Sequence, residues 1–200
     1  MNKIICIGRE FGSGGHEIGI RAAAQLGMKV YEKELLRLAC RFGEVAEKTL
    51  AHSDEAATNP YLFQGVYEGN YHVVRGLPTS EVLFSLQSHE IERIAQRESC
   101  VIVGRCADYV LRERSDVKLL RIFVTAPFNK RVARKMAQEK LAHEEAVCLV
   151  KKMDKQRKKY YDGYTGQTWG DPHYYDLKLD SAQLGIDGAV NAILQHYQKM

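Results

Sequence analysis

The chain has 200 residues, of which 45% are hydrophobic and 27% charged, and this composition is typical of one globular domain with a substantial core. The formal net charge of +4 suits an anionic small ligand but is too small to indicate a nucleic-acid-binding protein. No apolar run is long enough to span a bilayer, and the start of the chain lacks a signal-peptide layout, so we expect a cytoplasmic protein. The five cysteines include no C-x-x-C pair, which argues against a zinc site or a disulfide framework.

Short apolar runs alternate with helical patterns along the chain, beginning with a buried strand at Ile4–Ile7. A glycine-rich turn follows this strand, and then a helix that we expect to end at Gly27, a typical C-cap residue. Further strands are predicted at 28–31, 100–104, 119–126 and 175–180, and further helices at 32–42, 44–51, 79–99, 127–140, 143–161 and 186–197. Residues 52–80 form the least regular part, and we interpret them as an insertion that covers a substrate.

Alternation of strands and helices predicts a single α/β domain over residues 1–200, with a central parallel sheet and helices on both faces. Ligands of such sheets bind at the carboxyl ends of the strands. This rule places Arg9–His16, Arg105–Asp108 and the residues after Ala126 at one edge of the sheet.

The glycines of the first turn are the clearest sign of a binding site. A strand, a glycine-rich loop and a helix start together place backbone N–H groups around a phosphate. The loop departs from the P-loop pattern G-x-x-x-x-G-K-[ST], because Gly15 stands in the lysine position and His16 replaces Ser or Thr. A tight turn that needs glycine for packing is the alternative interpretation.

Four motifs in order carry a resemblance to a known family: GREFGSGGHEIG at 8–19, VGRCADYVL at 103–111, YYDGYTGQTWGDP at 160–172 and YDLKLDS at 175–181. Together they resemble the cytidylate-kinase-like family, a branch of the P-loop nucleoside monophosphate kinases. The resemblance implies a three-layer α/β/α P-loop kinase fold with a helical lid, here at 151–173. It also implies phosphoryl transfer from ATP, with Mg²⁺, to a nucleoside monophosphate.

The resemblance implies roles for residues on the acceptor side. In true cytidylate kinases a Gly-Arg-Asp segment follows a central strand, and its arginine holds the acceptor phosphate while its aspartate reads cytosine. Here Arg105 matches the arginine, Cys106 takes the aspartate position, and Asp108 is the candidate to compensate. Asp154 and Arg157 resemble the Asp-x-x-Arg pair of the family's lid, and their spacing puts both on one helix face.

Guanidinium groups suit phosphate oxygens, so we predict catalytic phosphate contacts from Arg9, Arg105 and Arg157. Arg9 adjoins the loop and is our candidate for the positive charge that is missing at Gly15. The predicted triphosphate-binding residues form one run within the loop: Gly12, Ser13, Gly14, Gly15 and His16. Ser13 is placed to approach Mg²⁺ or a phosphate oxygen.

Structural interpretations of the same residues stay open. Arg9 would form an ion pair with Glu10, Asp108 would complement a helix dipole, and Asp154–Arg157 would be a solvated pair. The lysines at 151–159 form either a lid or a solvated helix face. The tyrosines at 160–175 would stack on bases or, as we favour, pack beneath the final helix.

Three functions are compatible with these patterns. The first is an active nucleoside monophosphate kinase, and the second is an inactive nucleotide- or phosphate-binding module with the kinase fold, which Gly15 favours. The third is single-strand nucleic-acid binding through residues 151–175, which we consider the weakest. The sequence leaves open which nucleotide is the acceptor and whether the protein forms a homo-oligomer.

Overall fold

The computed structural model describes residues 1–42 and 79–200, so the predicted helix at 44–51 and most of the segment at 52–80 lie outside the described residues. The five strands are β1 Asn2–Arg9, β2 Lys29–Tyr31, β3 Cys100–Val103, β4 Val117–Thr125 and β5 Leu177–Asp180. The helices are α1 Gly15–Leu26, α2 Glu34–Phe42, α3 Thr79–Arg97, α4 Ala107–Val110, α5 Phe128–Glu139, α6 His143–Thr165 and α7 Ser181–Lys199, with a 3₁₀ turn at Pro172–Tyr174. Within these ranges, no helix has the length and apolarity that a membrane crossing requires.

The strands form one sheet in the order β2-β3-β1-β4-β5, and every pairing is parallel. β1 lies at the centre and pairs with β4 over its whole length, from Asn2 opposite Val117 to Arg9 opposite Val124. Central parallel strands are buried on both faces and therefore need near-continuous apolar runs. The predicted central parallel sheet is confirmed.

Alternate side chains of β1 enter two separate cores, as the two-residue period of a strand requires. Ile5 and Ile7 pack with α1 and α7 on one face of the sheet. Ile4 and Cys6 pack with α2 and α3 on the other. The result is the predicted three-layer α/β/α arrangement.

Several element boundaries differ from the sequence-based prediction. α6 runs to Thr165, four residues past its predicted end, because Gly163 is tolerated within the helix and Gly166, at φ 67°, forms the C-cap. Most of the predicted lid segment is therefore continuous helix. α7 begins at Ser181, because the Asp180 carboxylate accepts hydrogen bonds from the first-turn amides. Gly185, with φ 69° and ψ 173°, interrupts the helix immediately before the predicted start at 186.

We expect the apolar side chains between α1 and the sheet to contribute more to the free energy of unfolding than the exposed side chains of α1. Ile18 is 0% exposed and Ile20, on the same helix, is 44% exposed. Ile18→Ala should lower the free energy of unfolding by about 2–5 kcal/mol because it leaves a cavity, whereas Ile20→Ala should change it by no more than about 0.5 kcal/mol. Urea denaturation of both variants measures the difference, and equal losses would contradict this packing.

Candidate functional site

The glycine loop between β1 and α1 has the geometry of an anion cradle. Gly12 and Gly14 have φ values of 81° and 86°, which side-chain-bearing residues rarely adopt. A Cβ on Gly12 would lie 2.8 Å from the backbone oxygen of Arg131. The N–H groups of Gly14, Gly15 and His16 have no acceptor within the described parts of the chain. These amides meet at the positive end of the α1 dipole, where an anion is stabilised.

Asp154, on α6, fixes this loop from the side. Its Oδ1 accepts a hydrogen bond from the backbone N–H of Phe11 at 2.8 Å, and its Oδ2 contacts Nη1 of Arg131 at 2.5 Å. Arg131, on α5, also donates to the carbonyl oxygens of Ala126 at 2.9 Å and Phe11 at 3.2 Å. Asp154 therefore ties the loop to both α5 and α6, and in this structure its carboxylate pairs with Arg131 on α5.

Ser13 is held inside the protein rather than facing the cradle. Its side chain is 0% exposed, and its hydroxyl donates to the carbonyl oxygen of Glu10 at 2.8 Å. Its own carbonyl oxygen accepts a hydrogen bond from the Ser181 hydroxyl at 2.5 Å. Ser13 thus connects the loop to the start of α7, and its hydroxyl is engaged with the protein in this conformation.

A cleft of about 150 Å³ opens above the loop. Four basic side chains line it, from β1, α5 and α6: Arg9, Arg134, Lys135 and Arg157. Gly12, Gly14, Gly15 and His16, which we predicted to bind the triphosphate, line the same cleft. The carboxylates of Glu10, Glu17 and Glu32 also line the cleft. The site therefore combines backbone donors with four cationic side chains, groups that suit a polyphosphate.

Arg9 takes the space beside Gly15. A Cβ on Gly15 would lie 2.6 Å from the Arg9 Cβ and 3.3 Å from the Val124 Cβ. The Arg9 Nη2 donates to Oε1 of Glu32 at 2.9 Å, so the predicted alternative partner, Glu10, is wrong. The Glu10 carboxylate instead accepts hydrogen bonds from the hydroxyl of Thr125, which ends β4, and from the amide of Ala126.

Glu32 joins two of the predicted residues. It follows β2, and its Oε2 lies 2.5 Å from Nδ1 of His16 while its Oε1 holds Arg9. The Glu32 side chain is only 13% exposed, whereas the His16 side chain is 59% exposed. Glu32 is not among the residues predicted to form the site, although it follows a predicted parallel strand at the same edge of the sheet.

A second, smaller cavity lies on the other side of Arg9. Arg105, at the carboxyl end of β3, lines this cavity together with Cys106 and Asp108. Gly104, Arg105 and Cys106 have φ values of 80°, 56° and 54°. Two consecutive non-glycine residues in this region cost of order 1–3 kcal/mol each, and such strain clusters at functional sites. The strained turn keeps the Arg105 side chain, 5% exposed, at the cavity.

Asp108 is buried at the same cavity. The hydroxyl of Tyr161 donates to its Oδ2 at 2.7 Å. Burial raises the pKa of Asp108 above its usual 3.8, and the hydrogen bond from Tyr161 offsets part of this rise. Asp108 also lies in the first turn of α4, but a helix of four residues offers little dipole to complement.

Aromatic rings close this side of the site, and their position corrects one prediction. The rings of Phe84 and Tyr164 stack at 4.3 Å, and Phe123 contacts Trp169 at 5.3 Å and Tyr175 at 5.0 Å. The aromatic cluster therefore lies against α3 and β4, and its members Trp169 and Tyr175 line the second cavity. It does not lie beneath the final helix, which packs on α1 and the sheet instead.

Arg9 and Arg157 are the residues that line both cavities. The Arg157 Nη1 donates to the backbone carbonyl oxygen of Arg9 at 3.2 Å, so the Arg157 side chain lies against the end of β1. The predicted residues Arg9, Arg105, Arg157 and Asp108 thus line two cavities that share Arg9 and Arg157. Asp154 stands behind the loop and supports it.

The lysines of α6 contribute less than the lid interpretation implies. Lys151, Lys152, Lys155, Lys158 and Lys159 are exposed, and none of them lines either described cavity. The additional cations come from α5, as Arg134 and Lys135. Which face of a basic amphipathic helix turns inward depends on packing, so the sequence offered no signal that separated α5 from α6.

Comparison with known proteins identifies the family. The sequence pattern of the cytidylate kinase-like family matches residues 4–183. The chain belongs to this family. A cytidylate kinase from Thermococcus kodakarensis is 32% identical over 114 residues, which are 54% of this chain and 57% of that protein, so the match spans less than two thirds of the relative's length.

Solved structures confirm the fold. An uncharacterized protein from Eubacterium ventriosum superimposes over the full length of both chains with a TM-score of 0.73 and 27% identity. A gluconokinase from Sinorhizobium meliloti aligns over 98% of this chain and 94% of its own with a TM-score of 0.55 and 13% identity. The second likeness shows the kinase fold alone. The predicted P-loop kinase architecture is therefore confirmed.

We expect Asp154 to be essential for the shape of the loop. Asp154→Ala removes the partner of Arg131, whose side chain is 7% exposed, and it should lower the free energy of unfolding by about 3 kcal/mol. Glu139→Ala is the matched control, because it breaks the more exposed helical pair with Lys135 and should cost no more than about 0.5 kcal/mol. Urea denaturation measures both, and similar losses would show that the Asp154 contacts add no stability.

The buried carboxyl of Asp108 should make stability depend on pH. Its pKa is higher in the folded than in the unfolded protein, so the folded state binds the proton more readily and stability falls as pH rises above 3.8. Asp108→Asn keeps an acceptor for the Tyr161 hydroxyl and removes this effect. We expect the variant to have the higher Tm at pH 7 and the same Tm as the wild type below pH 3.8, and a lower Tm at pH 7 would contradict the burial effect.

Proposed function

We propose that the protein transfers the terminal phosphoryl group of ATP to a nucleoside monophosphate. One observation carries the proposal: the guanidinium-bearing residues Arg9 and Arg157 line both the glycine-loop cleft and the Arg105 cavity. A transferred phosphoryl group passes between a donor and an acceptor subsite, and its charge must be neutralised where the two subsites meet. The family relationship supports the same reaction class.

The proposed mechanism depends on alignment and charge. The amides of Gly14–His16 hold the donor phosphates, and Arg134 and Lys135 add positive charge from α5. Arg105 binds the acceptor phosphate at the end of β3. Arg9 and Arg157 then stabilise the moving group, whose transition state needs preorganised positive charge and no covalent assistance from the protein.

Mg²⁺ enters this proposal as part of the nucleotide substrate. Among the described residues, no group of three or more His, Cys, Asp or Glu side chains is placed to hold a metal ion. The Ser13 hydroxyl is already used within the loop. Mg²⁺ commonly keeps several waters and is held mainly by substrate phosphates, so this donor set fits an ion that arrives with ATP.

We propose a pyrimidine nucleotide, with CMP first, as the acceptor, in a reaction that takes place in the cytoplasm. The family supports this choice, and the second cavity offers a polar pair, Asp108 with Tyr161, beside aromatic rings. Cys106 occupies the position of the cytosine-reading aspartate in the related kinases. In our proposal Asp108 takes over the contact with the base.

The experiment is an ADP-release screen over the common nucleoside monophosphates with Mg²⁺ and ATP, on the wild type and two arginine variants. Arg105→Ala should reduce kcat by at least about 10²-fold, because a preorganised charge at the acceptor is lost. Arg114→Ala is the control, since Arg114 pairs with Asp116 before the amino end of β4, away from the site.

The outcomes separate the candidate functions. Turnover that needs an acceptor and is lost with Arg105→Ala supports the kinase. ATP-dependent thermal stabilisation without turnover on any acceptor would overturn it in favour of a binding module, the function that Gly15 favours. Full activity of Arg105→Ala would remove Arg105 from its proposed role.

A further inference from the structure

The position of Glu32 goes beyond the phosphate contacts of the proposed function. We infer that Glu32 is a positioning residue that holds the Arg9 guanidinium in the place where P-loop proteins have a lysine. The inference rests on the proposed function, since it concerns the same triphosphate-binding cleft. It is carried by two contacts, Glu32 with Arg9 and Glu32 with His16, and by the position of the Arg9 Cβ in the space that a side chain on Gly15 would need.

The first step is steric. Because a Cβ on Gly15 would lie 2.6 Å from the Arg9 Cβ, a lysine at position 15 and the present path of Arg9 are mutually exclusive. Real Cβ atoms do not approach each other so closely, and both atoms belong to backbone-fixed positions that cannot rotate away. Glycine at position 15 is therefore needed beside a side chain at position 9, and the cation that is absent at position 15 is available from Arg9.

The second step concerns the direction of the arginine. Arg9 ends β1, so its backbone is fixed by pairing with Val124 of β4, but its side chain has several rotatable bonds. The Nη2 contact with Glu32 at 2.9 Å restricts that freedom at the tip of the side chain. A long cation that is held before substrate arrives loses less entropy on binding than a mobile one, which is the advantage of preorganisation.

The third step concerns the support of Glu32 itself. Its side chain is 13% exposed, and its second oxygen contacts the His16 imidazole at the start of α1. The carboxylate is thereby fixed between β1 and α1, next to the loop amides. His16 accordingly contributes by orienting Glu32, in a position where P-loop proteins use a hydroxyl.

A double-mutant cycle tests the inference. We compare the wild type, Arg9→Ala, Glu32→Ala and the double variant by kcat, by KM for ATP and by the dissociation constant of β,γ-imido-ATP with Mg²⁺. Arg9→Ala should reduce kcat by about 10²-fold, and Glu32→Ala by about tenfold with a smaller change in KM, because the cation is present but poorly placed. If Glu32 acts through Arg9, the double variant should be no worse than Arg9→Ala alone.

Two further variants distinguish a positioning role of Glu32 from a general loss of structure around β2. Glu98→Ala removes a carboxylate that contacts Lys29 at the start of β2, and it should leave kcat within about twofold. Glu32→Gln keeps an oxygen acceptor for Arg9 and should retain more activity than Glu32→Ala. If Glu32→Ala proves to be unfolded by circular dichroism, the same cycle is built with Glu32→Gln.

The results decide this inference separately from the kinase proposal. Losses that multiply in the double variant, or an unchanged kcat and affinity in Glu32→Ala, would overturn the positioning role while the kinase remained. If no acceptor supports turnover, the kinase proposal fails. The double-mutant cycle is then calculated from the dissociation constants of β,γ-imido-ATP for the four proteins. Non-additive losses of affinity would then support the role of Glu32 and additive losses would overturn it.

Discussion

The contact between Asp154 and the glycine loop is the constraint on which the site depends. A loop with positive φ at Gly12 and Gly14 has few hydrogen bonds of its own, so its shape must be imposed from outside. Asp154 does this with one oxygen on the Phe11 amide and the other on Arg131. A carboxylate so enclosed is stable only because both oxygens have strong donors. The same contact brings α5 and α6, and hence Arg134 and Arg157, over the cleft.

The distribution of positive charge differs from that of a P-loop with its own lysine. A lysine within the loop is a point charge on a flexible stem, whereas an arginine presents a planar fork that suits two phosphate oxygens at once. Here the cations come from the end of β1, from α5 and from α6, and they surround the cleft. Three different elements of the fold hold them. The proposed catalytic charge therefore depends on correct packing of the whole domain more than on the loop sequence.

Much of the architecture could be predicted because the signals are local. The continuous apolar run at Ile4–Ile7 and the glycine turn after it give the central strand, the loop and α1 without knowledge of tertiary contacts. The rule that ligands bind at the carboxyl edge brought Arg9 and Arg105 to the site. In contrast, Glu32 could be recognised only by asking which residue follows each strand, including the three-residue β2.

Other parts of the site depend on packing that a single sequence does not encode locally. The basic residues of α5 and α6 have similar spacing, yet α5 turns Arg134 and Lys135 to the cleft while the α6 lysines face outward. The sequence-based prediction puts the aromatic residues at 160–175 beneath the final helix. They pack instead on Phe84 and Phe123, which come from distant elements.

The second cavity combines two features that reduce stability, and the combination is informative. Arg105 and Cys106 adopt left-handed backbone conformations, and Asp108 is a carboxyl group buried beside aromatic rings with a raised pKa. A turn with glycine at these positions and an asparagine at 108 would fold with less strain. Backbone strain and buried ionisable groups of this kind are concentrated at functional sites, where side chains must be held in precise positions. Since the turn directs Arg105 and Asp108 into one small space, we interpret that space as the place where the acceptor is recognised, with the guanidinium for its phosphate and the carboxyl group for its base.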